Sequence, residues 1–180
     1  MRIISGKHRG KVIRPPKGLP VRPTTDQAKE ALFNILNNRL DWNALKVLDC
    51  FAGTGNMSFE FLSRGASSVR AIDADSKCVR FINRTFQELN AADAKATRMP
   101  VERFIAGAPS QYDLIFMDPP YAMPHQDQLV LTLLNKGWLA PDGILVLEHA
   151  STNDFSNLAF FEEVRKYGSS SFSFFSLDTE

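Results

Sequence analysis

The stretch VLDCFAGTG, residues 47–55, decides how the rest of the chain is read. Residues 47–51 form a short apolar run and read as a buried strand. Ala52-Gly53-Thr54-Gly55 reads as a tight loop. Residues 57–64 read as a short helix ended by Gly65, a residue suited to a left-handed cap. The two glycines, at i and i+2, permit backbone angles and a close ligand approach that a Cβ would block. Strand, Gly-x-Gly loop and helix in that order make a βα turn of the kind that often holds a nucleotide or nucleoside, although many such turns are only tight turns.

The same alternation continues downstream. Residues 68–72 read as a second strand, followed by a helix over 75–89 closed by Asn90. A weaker strand at 95–99 leads into a short helix at 101–106, and 112–117 is a fourth strand. A helix over 126–135 carries Leu129, Leu133 and Leu134 on one face. Pro141-Asp142-Gly143 marks a turn before a fifth strand at 144–147. Two final strands, 162–167 and 171–175, join at Gly168. Strands alternating with helices predict an α/β fold with a parallel sheet covered on both faces.

Upstream, Thr24 and Gln27 have capping-box spacing for a helix that begins there. Ala28, Ala31, Leu32, Ile35 and Leu36 form its apolar stripe, and Asn37 and Asn38 are its stop residues. Residues 1–23 differ in kind. Gly6, Gly10, Pro15, Pro16, Gly18, Pro20 and Pro23 rule out a long helix and suggest a small hairpin-like appendage with a stiff connector. It is too short to bury a core of its own and must dock elsewhere. The division expected is therefore an appendage at 1–23 and one domain at 24–180.

Charge is unevenly spread. Arg2, Lys7, Arg9, Lys11, Arg14, Lys17 and Arg22 all precede the first acid, Asp26, although the net charge is only +1. Positive charge is thus concentrated where it could meet phosphates. The chain is 44% hydrophobic and 23% charged, as expected of a globular protein. Cys50 and Cys78 form no CxxC pair, and His8, His125 and His149 lack metal-ligand spacing, so no metal site is expected. No apolar run approaches the roughly 18 residues of a membrane span, and the start lacks a signal-peptide core. A cytoplasmic monomer is the expectation.

Two acids sharpen the reading of the glycine loop. Asp73 ends the second strand, where a carboxylate can accept both hydroxyls of a ribose. Asp49 ends the first strand just before the glycines. A dinucleotide fingerprint would need a third glycine, but Ser58 stands there. A pyrophosphate disfavours an adjacent carboxylate, whereas an ammonium group favours one. S-adenosylmethionine carries a ribose, an ammonium and a sulfonium, and suits Asp49 near its methionine moiety and Asp73 on its ribose. After the third strand, Arg98-Met99-Pro100-Val101 offers no acid for the adenine, which leaves backbone groups and apolar contact from Met99. Ala52, Gly53 and Gly55 complete the expected cofactor site.

Asp118-Pro119-Pro120-Tyr121 closes the fourth strand, since neither proline has an N–H for a sheet ladder. With Asp49-x-x-x-Gly53-x-Gly55 and Asp73, this motif resembles those of class I S-adenosylmethionine-dependent methyltransferases acting on exocyclic amino groups of bases. RIISGKHRGKVIRPP (residues 2–16), Val21-Arg22-Pro23-Thr24-Thr25-Asp26 and Glu30-Ala31-Leu32-Phe33-Asn34-Ile35-Leu36 further resemble the RsmD family of bacterial ribosomal RNA guanine-N2-methyltransferases. The resemblance implies a Rossmann-like, mostly parallel seven-stranded sheet with the last strand antiparallel. It also implies a substrate of 16S ribosomal RNA or the small ribosomal subunit, held in part by Arg2, Lys7, Arg9, Lys11, Arg14 and Arg22.

In that reaction the Asp118 carboxylate and the Pro119 carbonyl would accept the two hydrogens of the amino group. The prolines would stiffen the carbonyl, and Tyr121 would offer a ring for the base to stack on. Asp118, Pro119 and Tyr121 are the expected catalytic residues, and no metal is required. Three rivals remain at this stage. They are an adenine-N6 methyltransferase on DNA or RNA, a non-catalytic RNA-binding ribosome-assembly factor, and an NAD-dependent oxidoreductase. Ser58 and the DPPY motif disfavour the last.

Overall fold

A computed structural model of the chain describes residues 1–19 and 24–177. Seven strands form one sheet in the order β3-β2-β1-β4-β5-β7-β6. The strands are β1 (Lys46–Cys50), β2 (Ser68–Asp73), β3 (Ala94–Arg98), β4 (Tyr112–Met117), β5 (Leu139–Ala150), β6 (Phe161–Tyr167) and β7 (Ser170–Phe175). The first five run parallel, whereas β7 is antiparallel to β5 and β6. This is the mostly parallel α/β Rossmann-like architecture. Val47, Val69, Leu114 and Val146 face a core under α1 (Asp26–Asn37), α2 (Asn56–Arg64) and α3 (Ser76–Glu88). Leu48, Ile72, Ile115 and Leu147 face a second core under α4 (Val101–Ala106) and α5 (Gln126–Asn135). Among the described residues no helix is long and apolar enough to cross a membrane.

Two expected details come out differently. The first is the α1 cap. Thr25 holds the extended N-cap conformation and accepts the Ala28 N–H through its side chain at 3.2 Å. The helix starts one residue later than Thr24 and Gln27 would place it, because the Thr24 hydroxyl donates instead to Glu148 Oε2 at 2.9 Å. The second is β5, which already begins at Leu139 and absorbs Pro141-Asp142-Gly143. Tyr112 pairs with Leu139 but Leu114 with Ile144, so the extra residues bulge without ending the ladder.

The amino-terminal segment docks on the domain. Arg2 and Val12 form an antiparallel bridge, and Ile3 and Ile13 are buried in the core shared with α1 and α2. The docking ties are polar. Glu60 accepts the Ile4 and Ser5 N–H groups at 2.9 and 3.1 Å, and the Ser63 carbonyl accepts the Lys7 N–H at 2.7 Å. At Gly6, with φ +84°, a Cβ would come within 1.8 Å of the Ser63 carbonyl oxygen. Only glycine permits so close a backbone approach there.

These contacts explain α2, whose face toward every neighbour is covered. Its polar residues are buried because each has polar partners on neighbouring elements. Ser58 turns to β1, Ser63 turns to the hairpin, and Glu60 turns to the hairpin, α1 and Arg64.

Candidate active site

In an open α/β sheet, ligands bind beyond the carboxyl ends of the strands where the strand order reverses. Here β1 lies between β2 and β4, and the chain leaves the first half of the sheet through β3 before returning at β4. The reversal therefore falls between β1 and β4. Cys50 pairs with Met117, and one position further the Asp118 N–H donates to the Cys50 carbonyl at 3.3 Å. This tether sets the loop after β1 against the loop after β4, although their motifs lie more than 60 residues apart in sequence.

The first loop is shaped by left-handed residues. Phe51, Gly53 and Gly55 have φ of 61°, 57° and 81°. Positive φ is unusual for a bulky residue such as Phe51, and strain of this kind concentrates at functional sites. At Gly55 a Cβ would lie 2.7 Å from Phe59 Cζ and 2.9 Å from Ile82 Cγ1. Gly55 thus serves the packing of α2 against α3 as well as the turn. Ala52, Gly53 and Phe51 remain half-buried at the mouth.

Asp73 braces this loop. Its carboxylate accepts the Gly53 N–H at 2.8 Å through one oxygen and the Asp75 N–H at 2.8 Å through the other. A carboxylate has about four acceptor positions, so two remain for a ligand. Its carbonyl accepts the Met99 N–H at 3.0 Å, which brings Met99 to the same edge. Met99 is half-buried against the second core, together with Phe51 and Phe104.

Asp49 is buried beneath the loop, 1% exposed, and accepts the Ser58 hydroxyl at 2.5 Å. Ser58, the residue that breaks the dinucleotide fingerprint, is therefore the partner of this acid. Burial, aided by the nearby Asp73 charge, pushes the Asp49 carboxyl up to about 7 against the opposing Ser58 hydrogen bond.

At the end of β4, Asp118 is half-buried and Pro119 buried. The loop beyond is pinned. The Pro120 carbonyl accepts the Met123 N–H at 2.9 Å and Gln126 Nε2 at 3.2 Å. The Tyr121 hydroxyl lies 2.5 Å from Ser170 Oγ, which fixes the ring against the start of β7. Among the described residues no donor reaches the Pro119 carbonyl. The structure thus gathers Asp49, Ala52, Gly53, Gly55, Asp73, Met99, Asp118, Pro119 and Tyr121 at one edge of the sheet.

The basic residues lie on the docked amino-terminal segment, whose Met1 Sδ accepts the hydroxyl of Thr54 in the glycine loop at 3.1 Å. Arg2, Lys7, Arg9, Lys11 and Arg14 are all exposed on the hairpin and its continuation. Arg22 lies outside the described residues. A cleft of about 570 Å³ lined by Met1, Arg2, Val12, Thr24, Thr25, Asp26 and Asn56 separates the hairpin from the start of α1.

Three buried polar residues escaped the sequence. Lys29 is fully buried and binds Glu60 Oε2 and Asn56 Oδ1, both at 2.9 Å. Lys29, Leu32, Phe33 and Leu36 are spaced as a helical face, a signal obscured by the lysine's charge. Glu148 ends the apolar run of β5 and is 4% exposed. Gln126, also 4% exposed, clamps the DPPY loop from the first turn of α5. His149 is a buried sheet-end residue whose Nε2 lies 2.7 Å from Ser173 Oγ.

Fold and site together define a Rossmann-like methyltransferase. Residues 1–176 match the family described as Conserved hypothetical protein 95, the RsmD family, and the chain belongs to it. Ribosomal RNA small subunit methyltransferase D of Escherichia coli strain K12 is 30% identical over 158 residues, covering 85% of this chain and 76% of that protein. The solved structure of yhhF from Escherichia coli superposes with a TM-score of 0.87 at 29% identity, covering 97% of this chain and 96% of that one. A hypothetical protein of Thermus thermophilus gives 0.85 at 29%, with 98% and 99% covered. Coclaurine N-methyltransferase bound to N-methylheliamine and SAH shares the fold at a TM-score of 0.57 and 20% identity, over 71% of this chain and 36% of that one.

Proposed function

We propose that this methyltransferase transfers the methyl group of S-adenosylmethionine to the exocyclic N2 amino group of a guanine in small-subunit ribosomal RNA. The observation that carries the reading is the Asp118 N–H to Cys50 carbonyl bond, which joins the glycine loop to the DPPY loop. The ribosomal RNA substrate is supported by the name of the Escherichia coli relative and by the exposed basic hairpin, and the guanine N2 by the resemblance of residues 2–16 to the RsmD family.

The residues suit the cofactor. Asp73 beside Gly53 would take the ribose hydroxyls, Asp49 the ammonium group, and Ala52, Gly55 and Met99 the remaining contacts. The sulfonium supplies an already activated methyl group when bound. The protein's task is to hold the acceptor nitrogen in line with it, at roughly 3–3.5 Å. Asp118 and the Pro119 carbonyl would accept the two amino hydrogens and turn the nitrogen lone pair toward the methyl group. The carboxylate would also stabilise the positive charge that develops on nitrogen. Tyr121 would stack on the base, which must be unpaired or extruded to reach it.

The test is labelled methyl transfer to ribosomal RNA from cells lacking the gene, with mass spectrometry of the modified fragment. N2-methylguanosine is expected. Absence of transfer to both naked RNA and isolated subunits would overturn the reading.

Asp49 makes the cofactor step pH-dependent. Its folded pKa lies above the ordinary value of 3.8, so the free protein holds a proton that the unfolded chain has lost. Its contribution to stability is therefore present below about pH 4 and declines as pH rises through about 7. An ammonium ligand requires the ionised form, so affinity should rise from pH 5.5 to 7 with proton release. It should fall again as the ligand's own α-amino group deprotonates near about 8. Calorimetry in buffers of different ionisation enthalpy measures this, and a flat affinity between pH 5.5 and 7 would remove Asp49 from the site.

Arg9→Glu with Arg14→Glu should weaken RNA binding and lower the slope of log K against log salt by about 0.7 per lost phosphate contact on single-stranded RNA. An unchanged slope would make the hairpin's charge a solvated surface only.

A further inference from the structure

We propose that Glu148 reads the target base by accepting the guanine N1–H beside the amino group held at Asp118, an inference that rests on the guanine-N2 reading above. Strands β4 and β5 are in register through Met117 and Leu147, which makes Asp118 and Glu148 the next positions on neighbouring strands. Such strands lie about 4.8 Å apart. Leu114, Phe116, Ile144 and Val146 all face the core under α1 and α2, so the alternation of a strand puts Asp118 and Glu148 on that same face. Glu148 is buried, and the Thr24 hydroxyl that binds it at 2.9 Å also lines the cleft beside the basic hairpin. The carboxylate thus stands between the DPPY loop and the cleft through which RNA would approach.

The chemistry of the base fits two adjacent acceptors. Guanine presents N1–H and the N2 amino hydrogens side by side on one edge, all donors. Asp118 with Pro119 takes the amino group, and Glu148 takes N1–H. A purine whose N1 is a bare acceptor would set a lone pair against the Glu148 carboxylate. A buried polar group left opposing its partner discriminates strongly against the wrong ligand.

The experiment compares RNA fragments carrying guanosine or 2,6-diaminopurine at the target position. Both have the N2 amino group, but the latter has no N1 hydrogen. The wild-type protein should prefer guanosine by about 10²-fold or more in kcat/KM. Glu148→Gln can donate to a bare N1, so activity on guanosine should fall while that on 2,6-diaminopurine rises, collapsing or inverting the ratio. Thr24→Val keeps the carboxylate but frees it from its hydroxyl donor and should shift the ratio in the same direction, less far. S-adenosylhomocysteine binding by calorimetry reports whether each variant is folded. A wild-type ratio in Glu148→Gln, at whatever overall rate, overturns the role of Glu148 alone. A wild-type protein that methylates neither purine at N2 overturns the underlying reading with it.

Discussion

Asp118→Ala is expected to lower kcat by about 10²–10⁴-fold while leaving affinity for S-adenosylhomocysteine essentially unchanged. That range corresponds to about 3–5 kcal/mol of transition-state stabilisation. Its origin is the poor nucleophilicity of an aryl amino group, whose lone pair is delocalised into the ring until acceptors turn its hydrogens away. The tether that places the loop is the backbone Asp118 N–H to Cys50 carbonyl bond, which alanine retains. Pro119 and the Gln126 clamp on Pro120 also remain. The substitution therefore removes the carboxylate while these backbone ties remain. Asp118→Asn keeps one acceptor oxygen but loses the charge, and should fall between alanine and wild type. Single-turnover methyl transfer isolates the chemical step. An unchanged rate, or lost cofactor binding in a folded variant, would contradict the proposed role.

Lys29→Ala is expected to destabilise the protein by about 3–5 kcal/mol, because it strands a buried carboxylate. Lys29 and Glu60 are both fully buried and lie 2.9 Å apart. Burial pulls Lys29 below the ordinary lysine range against the pull of Glu60. Burial pushes Glu60 upward, but the Ile4 N–H, Lys29 and Arg64 together outweigh it and hold the carboxyl below its ordinary value. Lys29 also donates to the Arg2 carbonyl at 3.3 Å, so the loss reaches the hairpin directly. Urea unfolding should give the free-energy change, and hydrogen exchange should show lost protection at Ile4 and Ser5. Lys29→Met with Glu60→Met should cost less than the sum of the single changes, since both charges of the pair go together, although Arg64 and the Ile4 and Ser5 N–H groups lose their acceptor. An effect below about 1 kcal/mol would show that Arg64 and the hairpin amides satisfy Glu60 without the lysine.

The elements were legible where local chemistry decides them. The helix over Val101–Ala106, the strand over Tyr112–Met117 and the helix over Gln126–Asn135 have the bounds read from the sequence. In each, turn residues or a change of hydrophobic period mark the ends. The α1 cap and the bulged start of β5 were misread because distant partners overrode local signals. Thr24 had a better acceptor in Glu148, 124 residues away, and Tyr112 supplied a ladder partner for Leu139.

The candidate site divides the same way. Residues that interrupt a backbone pattern announce themselves, as Gly53, Gly55 and the Asp118-Pro119-Pro120 strand end do. Lys29, Gln126 and Glu148 interrupt nothing. Each looks like an ordinary surface residue until its neighbours are known.

The sequence by itself determined the β/α alternation, the strand ends that carry Asp49, Asp73 and Asp118, and the basic character of the hairpin. These follow from period, turn chemistry and charge, all short-range properties of a chain. Only the tertiary structure decided that β1 and β4 are neighbours, that Ser58 serves Asp49, and that Glu148 stands level with Asp118. Strand order and register are set by which faces can be buried together, and no local stretch of sequence contains that information.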